Sequence, residues 1–171
     1  MKTIPRLACL SLLLLGLRLP GTAAEISPDP SWSKAADNKI YAQKLVNEAL
    51  AAHPELVVIG LHAAAPGTTE EKMFATNLDR VGKQDDDDDK AAVIDHKIIL
   101  APNPNDPHKF EVQLSLKDAA GNTLPAGAGL VFKYNAGDDP VQILIKAVKI
   151  RDEFAKKTPN FAALFAPVAK L

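Results

Sequence analysis

"ELVVIGLHAAAPGTTEEKMFATN", residues 55–77, is the stretch that decides how this chain folds. Val57, Val58, Ile59 and Leu61 form a nearly continuous apolar run rich in β-branched residues, the composition of a strand covered on both faces. The residues "APGTTE" (65–70) are a turn, and "KMFATN" (72–77) reads as a second strand pairing back, with Gly67 in the connection. Two strands joined so tightly must run antiparallel, because parallel neighbours need a crossover of about a dozen residues or more.

On the N-terminal side, "AADNKIYAQKLVNEALAAHP" (35–54) places Tyr41, Ala42, Leu45, Val46, Ala49 and Leu50 at three- and four-residue spacing. That is one apolar stripe of a helix. Asp37 is the expected cap, and Pro54 forbids continuation beyond His53. On the C-terminal side come three more strand-forming segments, "KIILAP" (97–102), "KFEVQLSL" (109–116) and "GAGLVFKY" (127–134). In the middle one Phe110, Val112, Leu114 and Leu116 alternate with Glu111, Gln113 and Ser115. The Pro-, Gly- and Asn-rich stretches "PNPNDPH" and "DAAGNTLPAG" are the loops between them.

"GDDPVQILIKAVKIRDEFAKK" (137–157) predicts a closing helix. Asp138 or Asp139 caps it, Pro140 takes its first position, and Val141, Leu144, Ile145 and Val148 are the expected buried face. Pro159 ends it, and a short turn "NFAALFAP" is expected to lay Phe161, Leu164 and Phe165 on the body. Helix, two strands, short helix, three strands, helix is an α+β order. It predicts a five-stranded antiparallel sheet with a long N-terminal helix and a C-terminal helix.

The first 24 residues stand apart. Lys2 and Arg6 lead into the apolar "LACLSLLLLGL", and Pro20-Gly21 and the small Thr22-Ala23-Ala24 follow. This is the pattern of a signal peptide cleaved near Ala24, the apolar run being short for a comfortable bilayer span, and a retained N-terminal anchor is the alternative. The expected product is exported, periplasmic or secreted, and not membrane-spanning. Residues 25–35 are then a polar lead-in, and 36–167 a single domain. Cys9, the one cysteine, leaves with the leader. Disulfides, thiolate catalysis and Cys-bound zinc go with it. The remainder has 17 Lys and Arg against 21 Asp and Glu, a balance of −4. With no basic stripe and interleaved aromatics, nothing favours a nucleic-acid partner.

The element order, with "LVVIGLH" on the first strand, "FATNLDRVGK" leading into an acidic helix start and "AAGNTLPAGAGLVFKY" across the last hairpin, resembles the single Cache (PAS-like) extracytoplasmic sensor domains. The likeness spans roughly residues 36–157, and is nearest to the small free-standing periplasmic type. It implies a pocket between the sheet and the loops over it, holding a small carboxylate, amino acid or related metabolite. A membrane sensor or transport protein would be the partner. Membrane helices and an output domain, which receptor members carry, are missing from the pattern.

Five side chains are candidates for the ligand site. His62 ends the first strand as a donor or acceptor near neutral pH, or as a histidine bonded to backbone. Asn77 and Arg80 follow the second strand, where Arg80 would clamp a carboxylate or pair with nearby aspartates. Lys133 and Tyr134 end the last strand, at the pocket mouth or on a solvated edge.

The run Asp85–Asp89 sits at the start of the short helix, where carboxylates cap free N–H groups and favour the helix dipole. A solvated cap is the first reading of it and a calcium site the second. Five adjacent aspartates on a helix cannot all reach one ion, and no Asp-x-Asp-x-Asp-Gly loop is present. The run with Lys90 also matches an enteropeptidase cleavage sequence.

The four histidines fall at no metal-ligand spacing, so no metal or other cofactor is expected. A haem with His62 as axial ligand is the exception considered. No Gly-x-Ser-x-Gly elbow, phosphate-cradling loop or His-Glu-x-x-His occurs, and an enzyme is not expected. The reading from sequence is a soluble exported ligand-binding, sensor-like domain. Its alternative is a periplasmic structural or interaction protein with a filled core and no ligand.

Overall fold

The computed structural model describes residues 28–169. The expected leader, with the cleavage expected near Ala24, lies outside the described residues, as does the start of the expected lead-in.

The chain is α+β, built on one five-stranded antiparallel sheet, as the hairpin reading requires. In chain order the elements are α1 (Tyr41–Ala52), β1 (Leu56–Ala64), β2 (Glu71–Thr76), α2 (Asp87–Val93), β3 (Ile99–Pro102), β4 (Lys109–Lys117), β5 (Thr123–Lys133) and α3 (Pro140–Lys157). Short 3-10 turns occupy Ala35–Asp37 and Phe161–Phe165. The sheet order is β2-β1-β5-β4-β3, compatible with the PAS-like sheet expected. No helix among the described residues is long and apolar enough to cross a membrane.

Strand alternation gives the sheet two unlike faces. Ile59, Leu61, Phe110, Val112, Leu114, Leu116, Leu130 and Phe132 join Leu45 and Val46 of α1 and Ile143, Ala147, Ile150 and Phe154 of α3 in one apolar core. Leu164 is buried in the same core, Phe165 stacks on Phe74 at 4.7 Å, and Phe161 meets Phe165 edge-on. The other face carries Gly60 and His62 of β1, Gly127 and Gly129 of β5, and Gln113 and Ser115 of β4. Among the described residues, α2 is the helix that packs on it, against β5, β4 and β1. A Cβ on Gly127 would lie 3.1 Å from Val93 and 3.6 Å from Ala92, so the missing side chain lets α2 settle onto the strands.

Four local expectations are corrected. Asp37 does not cap α1: it belongs to the separate 3-10 turn, and α1 begins at Tyr41 behind Ile40, which gives no side-chain cap. The buried face of α3 is Ile143, Ala147, Ile150 and Phe154; of the four residues expected there, Leu144 packs half-buried against the core and Val148 is half-buried, but Val141 and Ile145 turn away. Val141 and Ile145 are 57% and 54% exposed on the far side of the helix. The observed stripe wins because it runs the helix's length and ends on a phenylalanine, whereas the other stops halfway.

The stretch 123–126, expected as loop, is strand, and Pro125 fits because the β4–β5 register shifts opposite it between Ser115 and Lys117. The hairpin turn shrinks to Asp118–Asn122. There Asp118 accepts from the Ala120 and Asn122 N–H groups and from the Asn122 side chain, and Gly121 takes a φ of 87°. Finally, the aspartate run is not uniformly solvated. Asp86, Asp87 and Asp88 are exposed, but Asp85 and Asp89 are 3% and 6% exposed.

Candidate functional site

The two buried aspartates turn toward the polar face of the sheet. A bulge between Leu61 and His62 re-aims the end of β1, and the His62 ring lies over Gly60, where a Cβ would come within 2.7 Å of Nε2. Asp85 is held by its own N–H, which donates to the Glu71 carbonyl on β2 at 3.1 Å. Its Oδ1 then stands 2.7 Å from His62 Nδ1. Asp86 caps α2 and forms a capping box with Asp89, each side chain accepting from the other's N–H at 3.2 Å. The same Asp89 side chain presents Oδ1 to His62 Nε2 at 3.5 Å, and that oxygen accepts from Gln113 Nε2 at 3.2 Å. Gln113 Nε2 is also 3.2 Å from Glu111 Oε1. Lys83 Nζ approaches Asp86 and Asp89 at 3.5 and 3.7 Å.

Acceptors outnumber donors here. Asp85 Oδ2, Glu71 Oε2 and Gln113 Oε1 are buried and lack a hydrogen-bond partner among the described residues. Native interiors leave few such atoms. Burial, with the Asp86 charge added, pushes the Asp89 carboxyl above its ordinary range, and His62 only partly opposes this. Burial, with the Asp85 charge added, pushes Glu71 up likewise. Burial acts on Asp86 too, but the Asp89 N–H and the Lys83 ammonium outweigh it and hold that carboxyl low. With Nδ1 held 2.7 Å from Asp85 Oδ1, the ring turns its Nε2 toward Asp89. The cluster is thus a buried set of oxygen acceptors and one imidazole nitrogen, suited to a cation or a ligand rich in N–H donors. The crevice lined by His62, Asp89, Ala92, Gln113 and Gly127–Gly129 is closed: a sphere the size of water does not fit. A haem has no room there.

The five side chains expected to line one pocket are not brought together. His62 is at the centre of the cluster. Asn77 serves β1: its Nδ2 donates to the Val57 carbonyl and its Oδ1 accepts the Ile59 N–H, both at 3.0 Å. Arg80 is half-buried in the loop after β2, and its side chain makes no hydrogen bond or ion pair among the described residues, with the aspartates or otherwise. Lys133 is exposed and donates to the Pro54 carbonyl at 2.9 Å, while Tyr134 packs on Phe110 at 5.3 Å. On β5, Gly127 pairs with His62. Lys133 is six residues further along, about 20 Å at strand rise, at the opposite end of the sheet.

The residues that sequence reasoning left out are Gln113 and Glu71, while Asp85 and Asp89 belong to a run whose first reading is a solvated cap and whose second is a calcium site. One signal was available: Gln113 is the amide in the polar row of β4, where a surface strand more often carries charge. Two larger hollows lie elsewhere. A groove of about 340 Å³ along the β2 edge is lined mainly by apolar groups, among them Ile40, Met73, Phe74, Val81 and Phe165. A cleft of about 280 Å³ lies between Glu55, Lys133 and the start of α3. Neither holds a buried polar cluster.

No family model matches the sequence, and no curated protein matches it. Among solved structures, the chain is similar to the repressor BlcR of Agobacterium tumefaciens, at 9% identity over 72% of this chain and 68% of that one, with a TM-score of 0.45. At that level neither fold nor function passes from one protein to the other.

Proposed function

We propose that the chain is an exported, non-enzymatic binding module of the single Cache, sensor-like type, holding a small ligand between α2 and the polar face of the sheet. One observation carries this reading: buried acceptor oxygens without donors surround a buried histidine beneath the one short element on that face. The same chemistry alters the ligand expected. A free carboxylate would meet Asp85, Asp89 and Glu71 with Lys83 and Lys90 as the nearby lysines in partial compensation, so the site favours an amine-bearing or cationic species over a simple acid.

A melting-temperature screen tests this, because a ligand that binds only the folded state raises stability as its concentration rises. Amines, amino acids, simple carboxylates and divalent metal salts form the panel. Saturable shifts are expected from donor-bearing or cationic members, lost in His62→Ala, with none from plain carboxylates. A flat response throughout, with no ligand co-purifying by mass spectrometry, overturns the reading. The closed crevice favours a second reading, an envelope structural or interaction protein. That reading predicts the flat response, plus a protein partner recovered from the periplasm.

A further inference from the structure

We propose that the ligand is a divalent transition-metal ion of the zinc class, bound by His62 Nε2, Asp89 Oδ1 and Gln113 Oε1, with Asp85 as the residue that positions the histidine. This rests on the crevice beneath α2 being the binding site. His62, Asp85 and Asp89 each offer a ligand atom within 4.8 Å of the others, and all three are buried.

The two contacts of the ring differ in kind. At 2.7 Å, Nδ1 and Asp85 Oδ1 are at the length of a charge-assisted hydrogen bond. Metal-ligating histidines ordinarily donate their second ring N–H to a carboxylate in this way, which fixes the ring and raises its basicity. At 3.5 Å, Nε2 and Asp89 Oδ1 are too far apart for a good hydrogen bond. Nitrogen and oxygen ligands of one tetrahedral zinc ion, each about 2.0–2.1 Å from the metal, stand roughly 3.3 Å apart.

Gln113 supplies the independent sign. It is 7% exposed and lines the same crevice, and its Oε1 has no partner, a cost that a cation would remove. Turning the amide over would put that oxygen where Nε2 now stands, 3.2 Å from Asp89 Oδ1, a place that a cation would use. Asp85 and Asp89 together balance a charge of +2. The crevice admits no sphere the size of water, a tightness that suits a bare ion, which needs less room than water, better than an organic molecule. A hard cation fits poorly: calcium takes six to eight oxygens, whereas an imidazole selects zinc, cobalt, nickel or copper. Asp86, Asp87 and Asp88, the rest of the run, are exposed and add no ligands.

The full chain, without a histidine tag and stripped with EDTA, is titrated with zinc chloride by calorimetry and with cobalt chloride by visible absorption. One equivalent of zinc is expected, a cobalt d–d band that zinc abolishes, and no competition from calcium. His62→Gln and Asp89→Asn each lose at least tenfold in affinity. Asp85→Asn loses about 10–100-fold, as supporting carboxylates do, and shifts the cobalt band without removing it. Circular dichroism checks that the variants fold, and Asp89→Asn, which keeps shape, stands in if His62→Gln does not. Zinc binding unchanged in both variants, or no stoichiometric binding, overturns the proposal. If zinc fails while amines still raise the melting temperature through His62, the metal is wrong and the ligand site stands. If both fail, so does the site.

Discussion

At His62 an imidazole fits under a helix because the strand residue two before it has no side chain. Gly60→Ala would put a methyl 2.7 Å from Nε2 and 3.1 Å from the Met73 Cε, so the ring must move. Overpacking of this kind costs about 1–3 kcal/mol, and ligand-dependent stabilisation is expected to disappear with it. Chemical denaturation with and without ligand measures both, and an unperturbed Gly60→Ala would mean the ring is not held as described. Asp89 and Glu71 make a second prediction. Their carboxyls titrate higher in the fold than in the unfolded chain, so the folded state holds the extra protons. Their contribution to stability therefore grows as pH falls from neutral through their raised folded values and shrinks as pH rises. Asp86, held low, acts in the opposite direction at lower pH. The melting temperature of Asp89→Asn should vary less between pH 7.5 and pH 5 than that of the wild type, and an unchanged slope would contradict the assignment. At this scale the sequence is only partly readable. His62 stood out as a strand-end histidine, but its partners lie 23 and 27 positions away in a run that looks solvated. Only the packing of α2 reveals which two of five aspartates turn inward.

Secondary-structure elements were more legible, because apolar periodicity and breakers act locally. The strand alternation of β4 and the Pro140 start of α3 could be read directly. The face of α3 could not, because Val141, Ile145 and Val148 satisfy the same spacing as Ile143, Ala147 and Ile150. Only the sheet chooses between them. Ile150→Ala should therefore cost about 2–5 kcal/mol by denaturant melts, and Ile145→Ala about 0.5 kcal/mol or less. Equal losses would return the helix to the face expected from sequence. For α2, Lys90 lies half-buried inside the helix, immediately after the buried Asp89. Although Asp86–Lys90 spells an enteropeptidase sequence, the bond after Lys90 is expected to resist that protease until α2 leaves the sheet. Digestion should be slow in the native protein and quicken under mild denaturant before the core melts. Rapid native cleavage would show α2 to be undocked.

Across the whole molecule, one sheet divides two kinds of chemistry. Its apolar face, packed on α1 and α3, supplies the fold, and its glycine-rich polar face, under a seven-residue helix, supplies the cluster. The hairpin at residues 55–77 made the antiparallel sheet legible, but not the position of the site. Strand order β2-β1-β5-β4-β3 puts β1 and β5 side by side in the middle, and thereby sets Gly60, His62, Gly127 and Gly129 in one patch. Hydrogen exchange followed by mass spectrometry, on the full chain with and without the most stabilising member of the ligand panel, tests this most directly. Protection is expected in peptides covering Asp85–Val93, and beside it around His62 and Gln113, with the α1–α3 face unchanged. Protection confined to the β2-edge groove or the cleft beside Lys133, or none anywhere, would contradict a ligand site beneath α2.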